Sequence, residues 1–208
     1  MKGEKTRALI IEKAARLFLD NGFNATTTRQ ITDELGMTRG ILYNYFKGKD
    51  EIFEAVINEF HPWIQIIPVI EEADGDSITE FVNNAGHLLI SNWNQNPEFT
   101  RLHFIELIEF KGEHLPALFD YVFNKMVDVL TEKFKEKKGF EHLSVATISR
   151  SLLGLFFTYL MNEKFTGMPN ESVGGSSRNS SVNGFDYFTD IYLQGLLTNL
   201  IDKKNPGE

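Results

Sequence analysis

At 208 residues, with 42% hydrophobic and 12% aromatic side chains, the chain is long enough for one domain of ordinary size plus a small one, and apolar enough to pack a core. It has no cysteine, which excludes disulfides, thiolate nucleophiles and thiolate metal sites and fits a reducing compartment. The net charge of −8 argues at first against a duplex nucleic acid, yet residues 1–53 hold nine Lys or Arg against seven Asp or Glu, while residues 54–208 hold twelve against twenty-two. The acidity therefore lies in the second part, and Lys2, Lys5, Arg7, Arg29, Arg39, Lys47 and Lys49 of the first could gather on one side.

The opening MKGEKTR leads straight into an amphipathic segment and does not resemble a signal peptide, and no run of about 18 apolar residues is present to span a membrane. The expected location is cytoplasmic. Residues 5–21 carry Ile10, Ala14, Leu17 and Phe18 at helical spacing and stop at Gly22, predicting a first helix. Thr27 with Gln30 three residues later is a capping-box pattern that opens a second helix, and Ile31 and Leu35 form its apolar stripe. Gly36 stands where a helix ends in the left-handed conformation, so the chain turns there. Thr38 suits the N-cap of a third helix, and Met37 can staple onto Leu42. On that helix Ile41, Leu42, Tyr45 and Phe46 are expected to face the core, leaving Thr38, Arg39, Gly40, Tyr43 and Asn44 outside.

Two short helices joined by a glycine turn, the second with a small, hydrogen-bonding outer face, form a helix-turn-helix that lays its second helix in the major groove. Arg39 is best placed to read bases, because its planar fork matches both acceptors on the guanine edge. Thr27, Thr28, Tyr43 and Lys49 read as phosphate contacts, and Arg29, Thr38, Gly40 and Asn44 complete the expected interface.

Asp50 and Glu51 favour the start of a fourth helix running to about Ile66, with Pro62 marking either a bend or an earlier end. Ser77 and Glu80 form a second capping box, opening a helix that ends before Pro97. Glu98 to Lys111 follows, closed by Gly112, and Pro116 suits the first turn of a long helix through Lys138, stopped by Gly139. Lys133, Lys135, Lys137 and Lys138, interleaved with Glu132 and Glu136, read as a solvated helix end. Residues 144–165 and 185–202 read as the last helices, separated by a Gly-, Ser- and Asn-rich loop, about 166–184, expected to be mobile. The fold expected is all-α, with about nine helices and no strand pattern.

Aromatic residues are dense between residues 63 and 160, and small-molecule pockets are mostly apolar and often lie between helices. Trp63, Trp93, Phe99, Phe104, Phe123 and Phe157 are candidate effector contacts, with His103 and Glu106 able to orient a ligand. His103 and Glu106 sit three apart, a spacing compatible with metal, but two donors without a third do not make a site. No metal or cofactor is expected. No G-x-S-x-G elbow, P-loop, dinucleotide glycine fingerprint or H-E-x-x-H occurs, and nothing points to an enzyme.

The run Arg7 to Phe53, with its string ELGMTRGILYNYFKGKDEIF, resembles the N-terminal domain of TetR-family transcriptional regulators over about a quarter of the chain. It has the leucine-glycine turn, the Leu42-Tyr43 pair, the aromatic Phe46 and the lysine Lys49, and departs from the family where Tyr45 replaces a common His, a position the resemblance implies lies near the DNA backbone. The resemblance implies a helix-turn-helix domain over residues 1–53 and a helical effector-binding and dimerisation domain over 54–208. It further implies a homodimer on a double-stranded operator, a small-molecule effector, and a four-helix dimer interface from the last two helices. Leu152, Leu155, Phe156, Tyr159, Phe188, Ile191, Tyr192 and Leu196 supply apolar faces for that interface, and Gly154 and Gly195 sit mid-helix where each costs roughly 1 kcal/mol relative to Ala. The function expected is a ligand-responsive repressor. The alternatives are a DNA-binding protein governed by a protein partner or organising the chromosome, and a helical enzyme with a borrowed head.

Overall fold

A computed structural model describes residues 2–95, 97–135, 144–161, 185, 189–191 and 193–194, and every regular element among them is helical. In chain order these are α1 (Lys2–Asn21), α2 (Thr28–Glu34), α3 (Arg39–Tyr43), α4 (Lys49–Phe60), α5 (Ile66–Glu72) and α6 (Ile78–Gln95). A single 3-10 turn (Pro97–Phe99) then leads to α7 (Thr100–Glu109), α8 (Leu115–Phe134) and α9 (Val145–Met161). Two compact units emerge: Met1–Ile67 with Gln95–Val122, and Pro68–Asn94 with Phe123–Glu208. The unit that carries the helix-turn-helix thus extends beyond residue 53 and takes in α7.

In the first unit, Ile10, Ile11, Ala14, Ala15 and Phe18 of α1 are buried with Ile52, Phe53 and Val56 of α4, which makes these two helices the frame of the head. Aromatic rings close the frame: Phe53 stacks on Phe110 with centroids 4.4 Å apart, and Phe23 meets Phe110 edge-on at 4.5 Å. Helix α4 stops at Phe60, earlier than the expected Ile66. His61 precedes a proline, whose ring disfavours helical geometry in its predecessor, and His61 is accordingly extended (φ −60°, ψ 137°). Pro62 therefore ends the helix and does not bend it. The expected helix from Glu98 begins instead as the 3-10 turn and becomes regular at Thr100.

In the second unit Phe81, Val82, Ala85 and Leu89 of α6, Met126, Leu130 and Phe134 of α8 and Ile148, Leu152 and Phe156 of α9 are buried, and Phe81 meets Phe134 edge-on at 5.3 Å. Gly86 is obligatory at a close crossing, because a Cβ there would lie 1.8 Å from the ring of Phe185. The Ser77 capping box forms in part: Ser77 Oγ accepts the Glu80 N–H, while the Glu80 carboxylate takes the N–H of Asp76. Lys133, in the last turn of α8, donates to the Ala73 carbonyl at 2.6 Å. Lys137, Lys138, Gly139, the loop 166–184, Phe188, Tyr192, Gly195 and Leu196 lie outside the described residues. Among the described residues no helix is long and apolar enough to cross a membrane.

Candidate nucleic-acid interface

The helix-turn-helix is assembled by local chemistry. The Thr27 hydroxyl accepts the Gln30 N–H at 3.2 Å and the Gln30 side chain accepts the Thr27 N–H at 2.7 Å, so the capping box is complete. Gly36 adopts φ 61°, the left-handed geometry that only glycine reaches without steric cost. Thr38 caps α3 through its extended backbone, its carbonyl accepting the Ile41 N–H at 3.0 Å, while its hydroxyl makes no capping bond. Ile31, Leu42 and Phe46 are buried beneath the pair.

The register of α3 differs from expectation at two positions. Leu42 and Phe46 are buried, but Ile41 is 41% exposed and Tyr45 is half-buried. With only five helical residues, α3 has room for one inward side, and Leu42 holds it. The Tyr45 ring reaches the first turn of α1, where a Cβ on Gly3 would lie 3.9 Å from its hydroxyl.

Thr27, Arg29, Thr38, Arg39, Gly40, Tyr43 and Asn44 are exposed and Thr28 is half-buried, so the expected reading face is an outer surface. Arg39 makes no hydrogen bond or ion pair with the described residues. The other cations divide. Arg29 pairs loosely with Asp33 one turn on, at 3.5 Å, and the Arg7 guanidinium lies over the Phe46 ring.

Lys49, expected to contact a phosphate, is engaged within the fold. Its ammonium donates to the carbonyls of Phe23 and Thr26, both at 2.8 Å, and sits 4.1 Å from the centroid of the Phe23 ring. Two of its donors thereby close the turn between α1 and α2.

That turn is held from its other side by a residue the sequence did not single out. Glu109, at the end of α7, accepts the Phe23 N–H at 3.0 Å and the Asn24 N–H at 2.7 Å. Its partners lie 85 and 86 positions away, and no local pattern could have announced the pairing.

Among the candidate effector residues, Trp63, Phe99, His103, Phe104 and Glu106 belong to the first unit, and Trp93, Phe123 and Phe157 to the second. Two of them are engaged internally. Glu106 is fully buried and accepts both the backbone N–H and Nδ1–H of His114, each at 2.8 Å, closing the turn after α7. His103 Nδ1 lies 3.2 Å from His61 Nε2. Since His61 Nδ1 accepts the Trp63 N–H, the proton of His61 sits on Nε2 and is donated to His103. Burial first, then the charge of His103, hold the His61 imidazole down at about 3; burial also lowers His103, with Glu106 opposing. Both rings are neutral near pH 7. Trp93 contrasts with these, for its indole N–H is buried without a hydrogen-bond partner among the described residues. Among the described residues, no three His, Asp or Glu side chains come together as a metal site.

The expected dimer residues also need correcting. Leu152, Leu155, Phe156 and Tyr159 are buried within the subunit, with Tyr159 edge-on to Phe185 at 4.9 Å, whereas Ile191 is 56% exposed. The outer side of α9 carries Ala146, Arg150, Gly154 and Thr158.

A capped helix pair with a glycine turn and an exposed, hydrogen-bonding second helix is the geometry of a helix-turn-helix. Residues 10–56 match the family model described as bacterial regulatory proteins, tetR family. Over these residues the chain is similar to the N-terminal domain of the TetR family. It is 40% identical over 55 residues to the transcriptional repressor KstR2 of Mycolicibacterium smegmatis, covering 26% of this chain and 27% of that protein. It is 38% identical over 60 residues to the transcriptional regulator TtgR of Pseudomonas putida, covering 29% of each. The match thus spans little more than a quarter of these curated relatives. A longer, weaker similarity, 25% over 146 residues, links it to the nucleoid occlusion factor SlmA of Pasteurella multocida, covering 67% of this chain and 72% of that one. Salmonella enterica GusR shares the fold along 93% of this chain and 96% of its own, with a TM-score of 0.67 at 18% identity.

Proposed function

We propose that this protein is a homodimeric, ligand-responsive transcriptional regulator: a cytoplasmic repressor that a small, largely apolar effector releases from a two-fold operator. The observation that carries the DNA-binding part is the surface of α3, where Thr38, Arg39, Gly40, Tyr43 and Asn44 are all exposed while Leu42 and Phe46 anchor the segment from beneath. Arg39 would pair its fork with O6 and N7 of a guanine. Thr27, Thr28 and Tyr43 would take phosphates, with Arg29, Asn44 and Tyr45 lining the groove. A dimer would seat its two copies of α3 about 34–36 Å apart, one turn of DNA.

The effector reading is supported by Trp93. A buried indole N–H without a partner costs free energy, which a ligand carrying an acceptor oxygen in an otherwise apolar body would recover. Phe123 and Phe157 lie half-buried in the same unit. Dimerisation would use the outer ridge of α9 at Ala146, Arg150, Gly154 and Thr158, whose spacing of four forms one ridge and whose glycine permits close backbone approach. The effector acts through its different affinity for DNA-competent and released forms. Glu109 and Phe110, which grip the turn ahead of α2, are the means by which a shift of α7 would reach the head. A role governed by a protein partner or in chromosome organisation is not favoured, since relatives 38–40% identical over the head are regulators of transcription.

The test is operator selection with the purified protein, followed by a ligand screen scored on release of that operator. Arg39→Ala is expected to weaken specific binding by about 1–3 kcal/mol with dimer and melting temperature unchanged. Unchanged affinity would remove Arg39 from the readout, and failure to enrich any two-fold sequence would overturn the DNA-binding reading.

A further inference from the structure

Ile41 is the one aliphatic side chain that α3 turns outward. Its backbone is fixed by the hydrogen bond to the Thr38 carbonyl, and the inward position is occupied by Leu42, so its 41% exposure follows from the helix register and not from a loose end. Three-residue spacing puts it on the side of the N-cap residue Thr38. Arg39, two positions earlier, is exposed as well. A lone surface isoleucine is ordinary and needs no explanation by itself. This one differs in its company, a branched aliphatic group set among hydrogen-bonding side chains on the surface that faces DNA.

The major groove offers such a group a single kind of apolar partner, the C5-methyl of thymine. Building on the DNA-binding reading above, we infer that Ile41 is a specificity residue that reads a thymine methyl in each half-site, in addition to the guanine read by Arg39. Residues two apart on a helix point about 200° apart, so the position of the thymine within the half-site is found by substituting each thymine in turn. The contact is van der Waals and hydrophobic; it forms no hydrogen bond and leaves the salt dependence of binding untouched.

The experiment removes the methyl from the DNA and the side chain from the protein in turn. In the selected operator each thymine is replaced by deoxyuridine, symmetrically in both half-sites, which deletes the methyl and leaves base pairing intact. Affinities are measured for the wild type and for Ile41→Ala at one salt concentration. Burying one methyl corresponds to about a fourfold change, so one position per half-site should weaken wild-type binding by roughly fifteenfold. Ile41→Ala is expected to lose a similar factor on the thymine operator and to be insensitive to deoxyuridine at that position. Ile41→Thr, which keeps one methyl, should fall between them. Identical deoxyuridine sensitivity in wild type and Ile41→Ala, or none in the wild type, overturns the inference while leaving the regulator reading in place. Failure to bind any operator overturns both.

Discussion

The third helix and the last turn of α7 both bring polar side chains to the head, and they use them in opposite ways. At α7, Glu106 and Glu109 each accept two N–H donors, and the fold is closed by them. On α3, Arg39 makes no hydrogen bond or ion pair among the described residues, and the Thr38 hydroxyl makes no capping bond. Polar groups that already have partners describe how the head is built; those left exposed on a rigid element describe what it can grip. Lys49 shows why the distinction has to be made residue by residue, for it is a cation within the helix-turn-helix segment and yet belongs with the carboxylates of α7.

The sharpest way to break the comparison lies in two adjacent residues. Leu42→Ala empties a fully buried site and is expected to cost about 2–5 kcal/mol of stability, read from chemical denaturation. Ile41→Ala, one position earlier, should stay within about 0.5 kcal/mol. Equal losses would mean that α3 has no separate outer side.

Lys49→Met comes next. Removing an ammonium that serves the Phe23 and Thr26 carbonyls is expected to cost about 1.5–3 kcal/mol of stability, since hydrogen bonds from charged donors fall in that range. Operator affinity measured across a salt series should keep its slope. A slope lower by about one for each head would show Lys49 to be a phosphate contact.

Those elements that depend on near neighbours were legible in the sequence. Thr27 and Gln30 are three residues apart, Gly36 needs only its own backbone, and both appear as expected. The outer face of α3 was legible for the same reason, except at Ile41, where so short a helix buries only Leu42, and at Tyr45, which lies beyond the end of the helix. Long-range choices were hidden. The apolar face of α9 was visible, but periodicity does not say whether Leu152 and Phe156 meet their own subunit or another copy. Glu109 looked like any helix-end carboxylate until the fold brought it to Phe23 and Asn24.

The smallest expected effect concerns the histidine pair where α4 ends. His61 is held at about 3 and His103 is also lowered, both chiefly by burial, whereas in the unfolded chain each titrates near 6.5. As pH falls below 6.5 the unfolded chain takes up protons that folded His61 refuses, so stability declines on the acid side and levels off above it. The slope for one fully resistant histidine is about 1.4 kcal/mol per pH unit. The other ionisable groups are common to wild type and variant, so the difference between the two isolates His61. His61→Gln keeps an acceptor for the Trp63 N–H and a donor for His103 while removing the titration. Urea midpoints at pH 7.5, 6.5 and 5.5 are expected to fall less steeply in His61→Gln than in the wild type. Parallel curves would mean that the ring is protonated in the folded protein, and that the bond between α4 and α7 carries a charge which the burial argument forbids.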